Sequence, residues 1–186
     1  MRALDRIRTP AAVLVVVALA TLGVTGSSAS TASDLGPSRP ACTIVGTDGD
    51  DELNGTARDD VICGRGGSDF IEAGRGSDIV FGGSGADLIT GGPGHDTLEG
   101  EKGRDIVLGE EGADRVFGGK AQDDVRGGPG QDRIEGNAGS DSCLSAMDGR
   151  PDDDVEGGTG FDTGDRDVGD HLSSVERVTP NVCFGG

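Results

Sequence analysis

The sequence has no tryptophan and no tyrosine, and its aromatic side chains are limited to five phenylalanines. Basic residues are also few: 16 Lys and Arg stand against 34 Asp and Glu, which gives a formal net charge of -18. This excess of negative charge argues against nucleic acid and anionic membrane as partners. A chain so poor in aromatics cannot bury a large apolar core, so its fold needs another source of stability.

Residues that could carry catalysis are scarce as well. The two histidines are His95, at a variable turn position, and His171, which has no nucleophile beside it in the sequence. Ser173 and Ser174 lie in no context that would form an oxyanion hole. Catalysis needs several such groups in mutual geometry, and we therefore predict that the protein is not an enzyme.

The apolar run of residues 11–24 follows Arg2, Arg6 and Arg8 and precedes the small residues Ser28, Ala29 and Ser30. A basic stretch, a short apolar run and small residues in this order are typical of a secretory signal peptide, here residues 1–30. An uncleaved N-terminal anchor is the alternative. We expect a secreted, extracellular protein with no membrane span after cleavage.

Glycine and aspartate are abundant, and they recur with a period of nine residues. Thirteen units start at residues 46, 55, 64, 73, 82, 91, 100, 109, 118, 127, 136, 148 and 157, with an insertion at 145–147. Position one is usually Gly, and position eight is an aliphatic residue in most units. Position six is aspartate in every unit: Asp51, Asp60, Asp69, Asp78, Asp87, Asp96, Asp105, Asp114, Asp123, Asp132, Asp141, Asp153 and Asp162.

The composition of one unit predicts its backbone. Clustered glycines permit positive φ and predict a turn in the first half. One aliphatic residue between variable positions predicts a strand of about three residues with a single inward side chain. Two units then close one coil of eighteen residues, and the coils stack into two parallel sheets around a thin core. The predicted fold is an all-β parallel solenoid.

Stacking places each aspartate near the aspartate eighteen residues away. Two carboxylates at strand spacing (~4.8 Å) repel each other, at a cost on the order of 3 kcal/mol for an effective dielectric of 20. A divalent cation between the coils would turn this repulsion into attraction. Carboxylate and carbonyl oxygens in a glycine-rich turn are the ligands that calcium prefers.

Residues 82–90 read Gly-Gly-Ser-Gly-Ala-Asp-Leu-Ile-Thr, and residues 91–99 and 127–135 follow the same pattern. They resemble the haemolysin-type calcium-binding nonapeptide, G-G-x-G-x-D-x-U-x, of the RTX family. The resemblance covers residues 46–165. It implies a right-handed parallel β-roll in which several Ca²⁺ ions are held by turn carbonyls and by the thirteen position-six aspartates. Turns that lack the family glycines, around Arg58, Ala121 and Pro151, are the least certain sites, and the unit at 148 is expected to lie out of the stack.

A solenoid needs caps at both ends. We assign residues 31–45 to an N-terminal linker and cap, and residues 166–186 to a C-terminal cap with a strand near 175–179. A last calcium site formed by Asp165, Asp167 and Asp170 is an alternative for this tail. Four cysteines in a secreted chain favour two disulfides, and we expect Cys42–Cys63 and Cys143–Cys183. Alternatively, Cys143 only replaces an aliphatic residue in the core.

Outward positions seven and nine carry apolar residues in the first half of the repeats. Phe70, Leu88 and Ile106 would stack as one exposed ridge, and Phe81 and Phe117 occupy outward position nine of the other sheet. Such a patch suggests a homodimer or a cell-surface partner, with the protein acting as an adhesion or surface-interaction module. Ordinary cross-strand packing is the alternative explanation.

Overall fold

The computed structural model describes residues 39–145, 153–165, 171–175 and 177–178; for residues 143, 145, 165, 177 and 178 it describes the backbone alone. The described chain folds into strands connected by glycine-rich turns. Odd-numbered strands form one sheet: β1 (Ile44–Val45), β3 (Val61–Gly66), β5 (Ile79–Ser84), β7 (Thr97–Lys102), β9 (Arg115–Lys120), β11 (Arg133–Ala138), β13 (Asp154–Thr159) and β15 (His171–Ser173). Even-numbered strands form the other: β2 (Glu52–Asn54), β4 (Phe70–Glu72), β6 (Leu88–Thr90), β8 (Ile106–Leu108), β10 (Asp124–Arg126), β12 (Ser142–Ser145), β14 (Thr163–Asp165) and β16 (Arg177–Val178).

Every pair of neighbouring strands is parallel. In the odd sheet Ile62 pairs with Val80, and in the even sheet Ile71 pairs with Ile89, so the register shift is one coil of eighteen residues. The chain alternates between the two sheets, and each unit lies directly over the unit two places earlier. This arrangement confirms the predicted all-β parallel β-roll. None of the described residues forms a helix that could span a membrane.

The core is a double row of aliphatic side chains between the sheets. The described aliphatic residues at position eight are fully buried, except Leu53 in the first coil, which is partly buried and packs against them. The members with no exposed surface are Ile62, Ile71, Val80, Ile89, Leu98, Val107, Val116, Val125, Ile134 and Val155. Each inward side chain touches others only within its own coil and the adjacent coils, so no coil is stable alone.

The two sheets differ in strand length. Even-sheet strands such as β4 contain three residues, as predicted, whereas six odd-sheet strands, such as β5, contain six. The longer strands run on through the glycine at position one into the next turn, where Gly83 pairs with Glu101. The prediction of three-residue strands throughout was therefore wrong for the odd sheet, because these turns continue the ladder.

The insertion leaves the stack intact. Strand β13 pairs with β11 in register, with Ile134 beside Val155, so the prediction that this unit lies out of stack was wrong. In β12 the register shifts by one residue, and Leu144 is fully buried and pairs with Gly164. The extra residue forms a β-bulge, which makes Leu144 the core residue of its coil. Cys183, the expected disulfide partner of Cys143, lies outside the described residues. Asp167 and Asp170, of the alternative calcium site in the tail, also lie outside them.

The N-terminal end is fixed by the predicted disulfide between Cys42 and Cys63. It ties residues 39–42, here called the strap, to the outer face of the odd sheet. Phe81 lies on that face but is only 5% exposed, because the Arg39 guanidinium covers its ring at 3.8 Å from the centroid. The expectation that Phe81 is exposed was wrong, since residues far apart in sequence make this contact. At the other end, strand β16 lies within the predicted C-terminal cap.

Candidate metal centre

The position-six aspartates form two columns, one along each edge of the roll where a turn enters a strand. The first column contains Asp51, Asp69, Asp87, Asp105, Asp123, Asp141 and Asp162, and the second contains Asp60, Asp78, Asp96, Asp114, Asp132 and Asp153. All are buried except Asp51, which is partly exposed at the start of its column. A buried carboxylate is costly unless its oxygens have partners. The hydrogen-bond partners of the two oxygens therefore decide whether a column can bind a cation.

One oxygen of each carboxylate is used by the fold. The backbone N–H of Asp60 donates to Asp78 Oδ1 at 2.7 Å, and the N–H of Asp123 donates to Asp141 Oδ1 at 3.0 Å. The same bond links every successive pair in both columns. Each aspartate except Asp51 and Asp60, which begin the two columns, thus accepts such a hydrogen bond from the coil before it. This bond fixes the carboxylate in the turn and aims its second oxygen inward.

The second oxygen is buried without a hydrogen-bond donor in the middle of both columns. Among the described residues this holds for the Oδ2 atoms of Asp69, Asp78, Asp87, Asp96, Asp105, Asp114, Asp123 and Asp141. Leaving a buried acceptor without a partner costs on the order of 1–3 kcal/mol of desolvation per group, and a charged acceptor costs more. A row of such atoms in one fold is the feature that a bound cation would explain.

The glycine at position one provides the space beside this oxygen. A Cβ built on Gly82 would lie 2.6 Å from Asp87 Oδ2 and 2.9 Å from the carbonyl oxygen of Gly100. At Gly91 the corresponding distances are 2.6 Å to Asp96 Oδ2 and 2.7 Å to the carbonyl oxygen of Gly109. Any side chain there would fill a space that is lined by carboxylate and carbonyl oxygens from two coils. An oxygen-only donor set of this kind fits calcium.

Burial also changes the acidity of the carboxylates. It raises the pKa of Asp96, Asp105 and Asp141 to about 6 and that of Asp123 to about 7, although the N–H bond from the preceding coil lowers each of them. Neighbouring carboxylates of the same column raise these pKa values further. Burial raises the pKa of Asp69, Asp78, Asp87 and Asp114 as well. Without a cation, the column carboxylates therefore keep their protons up to a higher pH than free aspartates do, and metal binding would have to displace any proton that they hold.

The first two turns are built differently. Thr56 replaces the second glycine, and its hydroxyl and N–H donate to Asp60 Oδ2 at 2.7 and 2.8 Å. Thr47 makes the same two bonds to Asp51 Oδ2, at 3.0 and 2.6 Å. The Thr56 hydroxyl lowers the pKa of Asp60, in contrast to the interior aspartates. Sequence reasoning missed these bonds, although threonine occupies position two only in these two units.

The turns that lack family glycines differ from one another. Ala121 keeps the left-handed conformation of the glycines it replaces, with φ of 90°. Arg58 instead donates its N–H to the Thr56 hydroxyl at 3.2 Å, as part of the threonine-centred turn. Pro151 lies outside the described residues. The local geometry of the metal centre thus persists at Ala121 and is replaced around Arg58.

Side chains alone do not complete a metal site in the part of the chain that the structure describes. No group of three His, Cys, Asp or Glu residues converges there as a metal-binding cluster. A cation would therefore need backbone carbonyls in addition to the aspartates. His95 is not such a ligand in this geometry, since its Nδ1 accepts a hydrogen bond from the N–H of Ala113 at 2.9 Å.

The sequence matches the family described as RTX calcium-binding nonapeptide repeat (4 copies) in six overlapping segments: 45–80, 64–98, 72–107, 81–116, 90–125 and 117–144. Together these segments span residues 45–144, which contain most of the two aspartate columns. No curated protein matches the chain.

Proposed function

The chain belongs to the family of RTX calcium-binding nonapeptide repeats, and on that premise we propose that it is a secreted protein whose turns coordinate Ca²⁺ between stacked coils, with folding coupled to calcium. The observation that carries the proposal is the row of buried Oδ2 atoms that lack a donor. The glycine at position one leaves an oxygen-lined space beside each of them except that of Asp78, whose unit begins with Ala73. Calcium would supply the positive charge that both columns lack.

The residues that would hold the ions are the position-six aspartates and the turn carbonyls opposite them. In the interior of the roll, Asp87 with the carbonyl of Gly100, and Asp96 with the carbonyl of Gly109, are representative pairs. Asp51 and Asp60 are the weakest candidates, because Thr47 and Thr56 already satisfy their inward oxygens. Calcium binding to the folded roll alone would stabilise it by a free energy that rises with the logarithm of the free calcium concentration above the dissociation constant.

Secretion is part of the proposal. The signal-like residues 1–30 support it, and so does the Cys42–Cys63 disulfide, which is the kind of bond that persists in oxidising compartments. Extracellular calcium modules bind at roughly 0.1–1 mM, so the chain would remain largely unfolded until it is exported. We assign no enzymatic activity, in keeping with a family of binding rather than catalytic repeats.

A calcium titration followed by far-ultraviolet circular dichroism tests the proposal. In excess chelator at pH 8 we expect a spectrum of an unfolded chain, and added calcium should produce a cooperative change to a β spectrum. Asp105→Asn should shift the midpoint to higher calcium, whereas Asp48→Asn, at an exposed turn residue outside the columns, should leave it unchanged. A complete β spectrum in chelator would contradict the coupling, and equal midpoints in both variants would contradict the ligand assignment.

The second candidate function is an adhesion or surface-interaction module in which calcium is only structural. It is favoured by the ridge of Phe70, Leu88 and Ile106, which pair side by side on the outer face of the even sheet. Phe70 is 37% exposed and Ile106 is 42% exposed. Sedimentation in calcium would test self-association: Phe70→Lys with Leu88→Lys should abolish a dimer. A wild type that sediments as a monomer would exclude the homodimer and leave a cell-surface partner, to be sought by pull-down.

A further inference from the structure

Arg39 shows how the outer face of the odd sheet holds a guanidinium group. Its guanidinium carbon lies 3.8 Å from the centroid of the Phe81 ring, and its Nη2 contacts Glu99 Oε2 at 3.1 Å and Glu101 Oε1 at 2.5 Å. The site thus consists of one aromatic ring and two carboxylates. The cation gains both ring and ion-pair contacts, a combination that favours arginine over other side chains.

The strand register places these three groups in a defined pattern. Phe81 on β5 pairs with Glu99 on β7, and Glu101 lies two residues further along the same strand. Thirty-six residues later, after two coils, the pattern recurs: Phe117 on β9 pairs with Glu135 on β11, and Asn137 lies two residues further along. The ring and the first carboxylate are retained, and an amide replaces the second carboxylate. The two sites are therefore successive versions of one arrangement on the same face.

The recurring pattern around Phe117 forms a cleft with a volume of about 290 Å³. Phe117 lines the cleft and pairs with Glu99 on one neighbouring strand and with Glu135 on the other, and Glu101, Gly119 and Asn137 complete the lining. Arg133 donates to Glu135 at 2.7 Å, which leaves that carboxylate other acceptor positions. Among the described residues, Arg39 over Phe81 is the only cation that stacks on a ring, so no described side chain does the same at Phe117.

We propose that the Phe117 cleft binds an arginine side chain of a partner polypeptide, in the way that Phe81, Glu99 and Glu101 hold Arg39. The partner is a basic peptide segment, since three carboxylates line the cleft against the two arginines paired with them, and the whole chain has a net charge of -18. The carboxylates are those of Glu99, Glu101 and Glu135, and the arginines are Arg39 and Arg133. The interaction is separate from calcium coordination and needs only the folded roll. Long-range attraction to so acidic a protein would speed the encounter and make it sensitive to salt.

The probe is the peptide acetyl-Ser-Arg-Pro-Ala-amide, which copies residues 38–41, titrated into the isotope-labelled full chain in calcium. We expect weak, saturable shifts in the NMR signals of Phe117, Glu135 and Asn137. Phe117→Leu keeps an apolar residue but removes the ring, and should weaken binding roughly three- to tenfold. The peptide with alanine in place of arginine should cause no shift, and circular dichroism should confirm that the variant is folded.

Arg39→Ala provides an internal control, because it uncovers the Phe81 site. In this variant the peptide should shift the signals of Phe81 and Glu99 in addition to those of Phe117. Binding at Phe81 without any at Phe117 would overturn the proposal. So would shifts spread over the acidic surface that Phe117→Leu leaves unchanged, and so would the absence of shifts at either ring.

Discussion

Each position-six aspartate has two oxygens with different tasks. In the turns from Asp69 to Asp123, Oδ1 accepts the N–H of the preceding coil and belongs to the fold, whereas Oδ2 is buried and has no donor. The first two turns show a protein-only solution to the same problem, since a threonine hydroxyl satisfies Asp51 and Asp60. The presence of threonine at position two therefore separates the self-sufficient first two turns from the turns that fit a cation.

The threonine turn leads to a first prediction. Thr56→Val removes the hydroxyl that donates to Asp60 Oδ2 at 2.7 Å and should lower the free energy of unfolding by about 1 kcal/mol. Because this turn does not depend on a cation, the number of bound calcium ions should stay the same. Urea unfolding in calcium and calcium-binding calorimetry measure the two quantities. Thr90→Val, on the even sheet, is the control; a lost calcium ion in Thr56→Val would show that this turn binds metal.

A second prediction concerns Ala121, which occupies a glycine position with φ of 90°. A left-handed conformation costs an L-residue energy that glycine does not pay, so Ala121→Gly should raise the free energy of unfolding by about 1 kcal/mol. Ala113→Gly is the matched control, because Ala113 is not among the residues with positive φ and should lose stability. Urea unfolding of both variants decides; destabilisation by both would mean that Ala121 is relaxed.

At the scale of elements, the strand ladder and the disulfide have separate roles. Eighteen-residue pairing builds the sheets, and the Cys42–Cys63 bond holds the strap across the first strands of the odd sheet. The strap in turn places Arg39 over Phe81 and beside Glu99. The N-terminal end of the roll is thus closed by covalent, aromatic and ionic contacts together.

A third prediction follows for the strap. Replacing Cys42 and Cys63 with serine opens a loop between residues 21 positions apart, and should lower the free energy of unfolding by about 3 kcal/mol through the added entropy of the unfolded chain. Arg39→Ala removes only a half-exposed ion pair and a ring contact, so its loss should be about 1 kcal/mol or less. Denaturant unfolding in calcium compares them. Equal losses would mean that the strap contacts, and not the cross-link, stabilise this end.

Most of the architecture could be predicted because it is periodic. The nine-residue period alone indicates the core at Ile62 and Val80, the two sheets and the stacked aspartates. It could not indicate that Arg39 covers Phe81, because that contact joins residues 42 positions apart and depends on the path of the strap. Nor could it indicate the bulge that brings Leu144 inward, since local spacing favoured Cys143. Periodic contacts are encoded in every unit, whereas these single contacts depend on tertiary packing.

For the whole molecule, the columns couple stability to pH. The interior aspartates have pKa values raised from 3.8, to about 6 for Asp105 and about 7 for Asp123, so the folded, metal-free chain binds more protons than the unfolded chain. Stability of the metal-free roll is then fully present below about pH 4 and is lost as the pH rises through 6 to 7. Calcium binding has the opposite dependence, because it requires ionised carboxylates.

The fourth prediction concerns the pH dependence of stability with and without calcium. In metal-stripped buffer the chain should be unfolded at pH 8, whereas at pH 5 it should gain β structure that melts on heating, because the column carboxylates are then protonated. With millimolar calcium the order of stability should reverse. Thermal melts followed by circular dichroism at constant ionic strength give both comparisons. The Asp48→Asn protein serves as a control and should behave as the wild type, since Asp48 is exposed and lies outside the columns. A metal-free chain that is more stable at pH 8 would contradict the assigned titration.

Successive units alternate between the two sheets, so the number of units that precede a strand decides which sheet that strand joins. The gap of 21 residues between Asp132 and Asp153 shows that three extra residues are accommodated while β13 still joins the odd sheet. Gain or loss of one nine-residue unit would send every later strand to the opposite sheet and exchange its inward neighbours. A change of eighteen residues would not. The protein can therefore lengthen or shorten in whole coils without redesign, and two units together are the smallest piece of this sequence that can be copied or deleted intact.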